Sequence, residues 1–314
     1  MRRVAVAALL AAGVGGCSTV YLRTNVLDAR VDERHTASYL GLPLKSGQLV
    51  LTEAPGATSF VIMLIPARFY RFTHAAILSM ENGQPFVYEI SGRMARFPLQ
   101  EKLLDNVRGE MHRRSLLEHV SLNLYAEIYD VPAGVSGEKV VEYAKQQFAA
   151  QTAFDSFFDY SDHKKLFCTE LIELALEHGG MKSRPLDPVN DNESLRIAMR
   201  WLGVPMSTVL PAGAYADPDR YVGALGQFPT RTAADGYFEA KREVYRRFTN
   251  DQRLGYLFEL DGWGRIDMRP EVRQFAIDAS HLFDAVDDPP PPGDPRVADA
   301  VRHLADERFG PLGR

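Results

Sequence analysis

Between His74 and Gly92 two runs of strand formers, HAAILSM and PFVYEISG, stand on either side of Asn82-Gly83. Asn-Gly between apolar runs is the strongest short-range signal for a tight hairpin, because both positions tolerate a left-handed backbone. With Asn82 and Gly83 in the turn, Ala76 faces Glu89 and His74 faces Ser91. His74 and Ala76 share a strand face, so Glu89 becomes a diagonal neighbour of His74, about 7 Å away between backbones. Ahead of the hairpin, SGQLVLTE (Ser46 to Glu53) predicts a strand. ATSFVIMLIPARFYRF stays apolar until Pro66 interrupts it, which leaves strand and helix both open. Beyond the hairpin, residues 97–119 are charged and read as helix and loop, and VSLNLYAEIYDVP reads as a strand. SGEKVVEYAKQQFAAQ predicts an amphipathic helix with Ser136 as N-cap and Val140, Val141, Ala144 and Phe148 on one face. VNDNES caps a further helix through LRIAMRWLG, and VPMSTVLPAGAYADPDRY reads as a Pro/Gly loop. After Phe228 the pattern turns helical, in AADGYFEAKREVYRRF and RPEVRQFAIDASHLFDAV. A stiff polyproline spacer at 289–295 and a short last helix follow. No internal repeat is visible.

Hydropathy at the N-terminus changes the picture. Arg2 and Arg3 precede an apolar run, Val4 to Val14, too short to anchor stably across a bilayer. The run ends in Val14-Gly15-Gly16-Cys17, which resembles a bacterial lipobox; an ordinary secretory signal is the alternative. The lipobox resemblance implies that residues 1–16 are a signal peptide and that Cys17 is lipidated. Ser18, not Asp, then implies the outer membrane, facing the periplasm. A lipid chain anchors without spanning, so the remainder is expected to be a soluble body. Charge is nearly balanced, 36 basic against 41 acidic residues, with no basic block. Nucleic acid is therefore not expected as a partner.

The chain has 2 cysteines. If Cys17 carries lipid, Cys168 has no partner for an internal disulfide, and such a thiol is either buried and inert or reactive. In LFCTELIELALEHGG, positions 168, 171, 172, 175, 176 and 179 share one helix face, which turns Cys168 toward the body of the protein. Glu170, Glu173 and Glu177 take the opposite side. That face by itself favours an inert core thiol, and a reactive one needs a base brought onto it. His74, oriented by Glu89, is the candidate base, and Lys164 and Lys165 add positive charge just before Cys168. A helix starting at Cys168 would add free N–H groups, but the best capping residues, Ser161 and Asp162, lie several positions earlier. His112 and His119 read as solvated and His163 as a loop residue. No zinc spacing, phosphate loop or Gly-x-Ser-x-Gly elbow is present, so neither metal nor cofactor is expected.

SGQLVLT, FTHAAIL, FVYEISG and LFCTELIELAL, in that order, resemble the circularly permuted papain-like amidases, the YiiX and YaeF group of the NlpC superfamily. The acidic-aromatic FDSFFDYSD and the loop VLPAGAYADP add to the likeness, which covers roughly residues 44–226. Gln48 stands where that group usually has Asp, Thr73 where it has Ser, and Ala75-Ala76 where it has Val-Gly. The resemblance implies an α+β fold, with an antiparallel sheet packed against helices and a mainly helical C-terminal extension. The expected divisions are a signal peptide (1–16), a tether (17–43), a catalytic domain (44–227) and the extension (228–314). It also implies a Cys168–His74–Glu89 triad that cleaves peptide amides of the cell envelope through an acyl-enzyme. The alternatives are an acyltransferase or esterase acting on lipid-like acyl groups, and a non-catalytic envelope-binding lipoprotein, for which the extension would be a binding arm.

Overall fold

The computed structural model describes residues 24–29, 39–92, 109–201, 204, 207–251, 254–260 and 266–312. Cys17, and with it the expected signal peptide and lipid anchor, lies outside the described residues. The strands run, in chain order, β1 (Asn25–Ala29), β2 (Leu49–Glu53), β3 (His74–Glu81), β4 (Gln84–Ser91), β5 (Glu110–Ser115), β6 (Tyr125–Tyr129), β7 (Ala153–Phe154), β8 (Lys165–Leu166), β9 (Asp187–Pro188), β10 (Thr208–Val209), β11 (Tyr221–Gly226), β12 (Phe258–Leu260) and β13 (Ile266–Met268). The helices are α1 (Ala57–Leu64), α2 (Leu116–Ser121), α3 (Gly137–Ala149), α4 (Cys168–His178), α5 (Glu193–Trp201), α6 (Arg231–Asp251), α7 (Pro270–Ser280) and α8 (Pro295–Phe309). Among the described residues, none of these helices is long and apolar enough to cross a membrane.

The fold is α+β around a nine-stranded sheet ordered β1-β11-β6-β2-β3-β4-β5-β7-β8. Every neighbouring pair is antiparallel except β7–β8. Alternation along β3 and β4 divides the core in two, as a period of two residues requires. Ala75, Ile77, Tyr88 and Ile90 join Leu171, Ile172 and Ala175 of α4 in the larger cluster. Ala76, Leu78 and Val87 join Leu116 and Val120 of α2 in the smaller one.

One segment that the sequence left open is settled, and two differ from the sequence-based reading. The apolar run before Pro66 is the helix α1, which stops at Leu64 because a proline two residues on can neither donate nor continue it. Residues 110–115 form strand β5 beside β4, where helix and loop were expected. Asn25–Ala29, within a stretch without a sustained period, pairs with β11 at the edge of the sheet.

The last third of the chain packs on the same core. Ala234, Tyr237, Phe238 and Val244 of α6 and Phe275 of α7 belong to the larger cluster. Helix α6 also sends a fully buried lysine into the sheet layer. Lys241 Nζ lies 2.5 Å from Glu53 Oε1 and donates to Ser59 Oγ at 2.9 Å, with both charged side chains at 0% exposure. Glu53 accepts further hydrogen bonds from the hydroxyls of Ser59 (2.8 Å), Tyr237 (3.0 Å) and Thr73 (3.2 Å). Burial pushes the Lys241 ammonium below its ordinary range, and Glu53 opposes that.

Candidate active site

Asn82 and Gly83 both have positive φ, 50° and 78°, the left-handed pair a type I′ turn needs. The turn fixes the register Ile77↔Tyr88 through Glu81↔Gln84. That register carries Glu89 to the diagonal of His74, and His74 Nε2 lies 2.6 Å from Glu89 Oε2. The expected pairing is therefore present, made by one local hairpin.

Cys168 lies close enough to His74 to act on its imidazole. Burial, the largest influence on His74, favours its neutral form. The charge and hydrogen bond of Cys168, followed by those of Glu89, outweigh it and push the imidazole up to about 10. The arrangement is thus an imidazole whose charged form is favoured by Cys168 on one side and the Glu89 carboxylate on the other.

Cys168 is the first residue of α4, not a residue of its second turn. Its N-cap is Phe167, with an extended backbone (φ −107°, ψ 169°), and Phe167 N–H donates to Glu170 Oε2 at 3.3 Å. This is half of a capping box; a phenyl ring cannot supply the other half. The first N–H groups of a helix have no carbonyl partner within it, so those of Cys168 and Thr169 are oriented to receive an anion next to the thiol. The earlier capping candidates are engaged in the loop before the helix. Asp159 accepts from Ser161 N–H at 2.9 Å, and Asp162 from Lys164 N–H at 3.1 Å. Lys164 and Lys165, expected beside the thiol, are exposed.

Two of the three glutamates of α4 are not on a solvated face. Glu170 is fully buried, with Oε1 2.6 Å from His163 Nδ1. Burial raises its carboxyl to about 7, against the pull of His163 and the Phe167 N–H. Glu173 is likewise buried and accepts from Arg184 N–H and the Tyr215 hydroxyl, each at 2.7 Å. His163, read as a plain loop residue, thus helps fix the start of the helix that begins at Cys168.

Sequence reasoning also missed the groups around Glu89. His119, expected in solvent, is fully buried on α2, with Nδ1 3.3 Å from Glu89 Oε2 and its ring 6.1 Å from that of His74. Neither His119 nitrogen has an aligned hydrogen bond. Arg114 Nε donates to Glu89 Oε1 at 3.0 Å. Burial would raise the Glu89 carboxyl, but His119 and then His74 hold it well below the usual carboxylate range. The signal that could have located α2 is Ser115-x-x-Glu118, since Ser115 Oγ accepts from Glu118 N–H at 3.2 Å. Gln48, which stands where the resembling group has Asp, donates to Asp130 Oδ1 at 3.0 Å and to the Pro43 carbonyl at 3.3 Å. Among the described residues no group of three or more His, Cys, Asp or Glu side chains is placed to hold a metal ion.

No family model matches the chain, and neither does any curated protein. Among solved structures it is similar to one described as metalloprotein yiiX from Escherichia coli O157:H7, DUF1105. The identity is 17% and the TM-score 0.43, over 55% of this chain and 93% of that one. This is a distant likeness in fold and carries nothing about the site.

Proposed function

We propose that the protein is a cysteine hydrolase of the permuted papain-like, NlpC-type class, which cleaves an amide or ester through an acyl-enzyme. The observation that carries this reading is the His74 imidazole between Glu89 and Cys168, with Cys168 as the first residue of α4. The Cys168 thiolate attacks the substrate carbonyl carbon; a C–S bond forms and the carbonyl electron pair moves to oxygen. The N–H groups at the start of α4 receive that oxyanion. As the tetrahedral species collapses, the bond to the leaving group breaks, and the His74 imidazolium gives its proton to the departing amine or alcohol. Neutral His74 then takes a proton from water, and the resulting hydroxide attacks the thioester carbonyl. The C–S bond breaks, releasing a carboxylic acid and restoring the thiolate–imidazolium pair. Glu89 holds the ring orientation and favours its charged form.

In the same reading Cys17 carries a lipid anchor, and the substrates are acyl groups of the cell envelope, peptide amides first. The test is alkylation of Cys168 by iodoacetamide at pH 7, followed by intact mass, in the native protein and in His74→Ala. Loss of the base is expected to slow labelling at least about a hundredfold, the lower end of what general-base partners contribute. Equal rates in the two proteins would remove the activated-thiol reading.

A further inference from the structure

A second imidazole stands behind Glu89, and the hydrolysis cycle leaves it unused. His119 lies on the face of α2 that also buries Leu116 and Val120, and its side chain is fully enclosed. The helix is held there at both ends. Ser115 Oγ accepts from Glu118 N–H at 3.2 Å, and Asn123 Nδ2 donates to the His119 carbonyl at 2.7 Å. His119 Nδ1 is 3.3 Å from Glu89 Oε2, off the line of a full hydrogen bond. The same oxygen already faces His74 Nε2 at 2.6 Å, and Oε1 accepts from Arg114 Nε. His112 stands opposite Glu89 on β5, where burial and then Arg114 push its ring toward the neutral form.

The demands on Glu89 change through the reaction. In the resting protein His74 itself supports the carboxylate, because the charged form of its ring lies against Oε2. Once Cys168 is acylated and His74 has given its proton to the leaving group, that cation is gone. Glu89 must then stay ionised and in place without it. The next step draws a proton from water onto His74 while the water oxygen joins the thioester carbonyl. A carboxylate that had taken up a proton, or turned away, could neither orient the ring nor stabilise the charge forming on it. Burial drives a carboxylate with too few donors toward the neutral acid. Two groups remain against Glu89 when His74 is neutral. Arg114, on Oε1, is partly open to solvent, whereas His119, beside Oε2, is shut away from it.

We propose that His119 is a positioning residue for the second half of the reaction: its Nδ1–H takes up Glu89 Oε2 when His74 is neutral and keeps Glu89 an aligned carboxylate for deacylation. The proposal rests on the Cys168–His74–Glu89 reading, and His119 acts only through Glu89. Its proton stays on Nδ1 throughout, and a small turn of the ring brings the N–H into line.

The test uses p-nitrophenyl acetate with the full chain at pH 7. Nitrophenolate release follows acylation, and intact mass follows the gain and decay of the acetyl group on Cys168. His119→Phe keeps a flat ring without nitrogen, and His119→Leu repeats the change with a smaller apolar side chain. His119→Asn returns an N–H near the place of Nδ1. In the Phe and Leu variants, decay of acetyl-Cys168 is expected to slow at least about tenfold, part of the hundredfold or more that a general base supplies. Acetylation is expected to change by less than about threefold, since His74 still supports Glu89 in that step. His119→Asn is expected to recover most of the decay rate. Equal slowing of both steps, unchanged decay, or no recovery in His119→Asn would each overturn the proposal. So would failure of Cys168 to acetylate while its alkylation by iodoacetamide still depends on His74. Alkylation that does not depend on His74 would instead remove the reading beneath it.

Discussion

Lys241→Met tests whether the C-terminal helices are bound to the site by charge as well as by apolar contact. Methionine keeps much of the lysine's length and volume but removes the cation that lies 2.5 Å from Glu53 Oε1. Both side chains are at 0% exposure, so no water replaces the lost partner. The three hydroxyls that donate to Glu53 remain, and they soften the loss without neutralising it. Breaking one half of a buried pair costs about 3–5 kcal/mol. Adding Glu53→Gln removes the stranded charge, so the double variant is expected to regain much of that loss. The assay is urea unfolding of the native protein, both single variants and the double variant, at pH 7 and fixed salt. A coupling energy of about 2 kcal/mol or more is expected from the cycle. Thr73, which donates to the same carboxylate, immediately precedes His74, so Lys241→Met is also expected to slow alkylation of Cys168. A loss of stability below about 1 kcal/mol in Lys241→Met, with additive single effects, would refute the reasoning.

The raised His74 value has a definite sign. Its contribution to stability is full below the unfolded value of about 6.5 and is lost as pH rises through about 10. The urea-midpoint difference between the native protein and His74→Ala should therefore shrink from pH 6.5 to pH 10, and a flat difference would contradict the assignment. His119→Leu removes the first of the groups that hold the Glu89 carboxyl down. Stability from Glu89 is present above about 4.5 and lost as pH falls through its folded value, so acid unfolding of His119→Leu should begin at a higher pH than in the native protein. Coincident acid transitions would rule this out. Inserting one glycine between Asn82 and Gly83 is expected to slip the register and turn one strand's side chains to the opposite face. Alkylation of Cys168 should then fall to the His74→Ala rate, and an unchanged rate would show that the hairpin does not set the pairing.

Legibility of the site followed the range of the interactions that make it. The His74–Glu89 contact could be read because a two-residue turn and alternation fix it within one hairpin. The start of α4 could not, because Ser161 and Asp162, the better capping residues, are engaged within the loop, and the actual N-cap is a phenylalanine. Helical periodicity put Glu170 and Glu173 in water, and it contains no information about Tyr215 or Arg184, which reach Glu173 from later in the chain. His119 was misplaced for a related reason. Charge density suggested solvated helix and loop, whereas residues 110–121 divide into a strand and a short helix that carries His119 against the sheet.

The hairpin also sets an order in time. His74 and Glu89 are 15 residues apart, and a β-hairpin closes in microseconds, far faster than a chain is synthesised. Cys168 follows both by many tens of residues, and its helix must cross a long loop to reach them. Emerging from its point of synthesis, the chain presents His74 and Glu89 first and the Cys168 sulfur last. Cys168 is thus added to a hairpin that can already form without it.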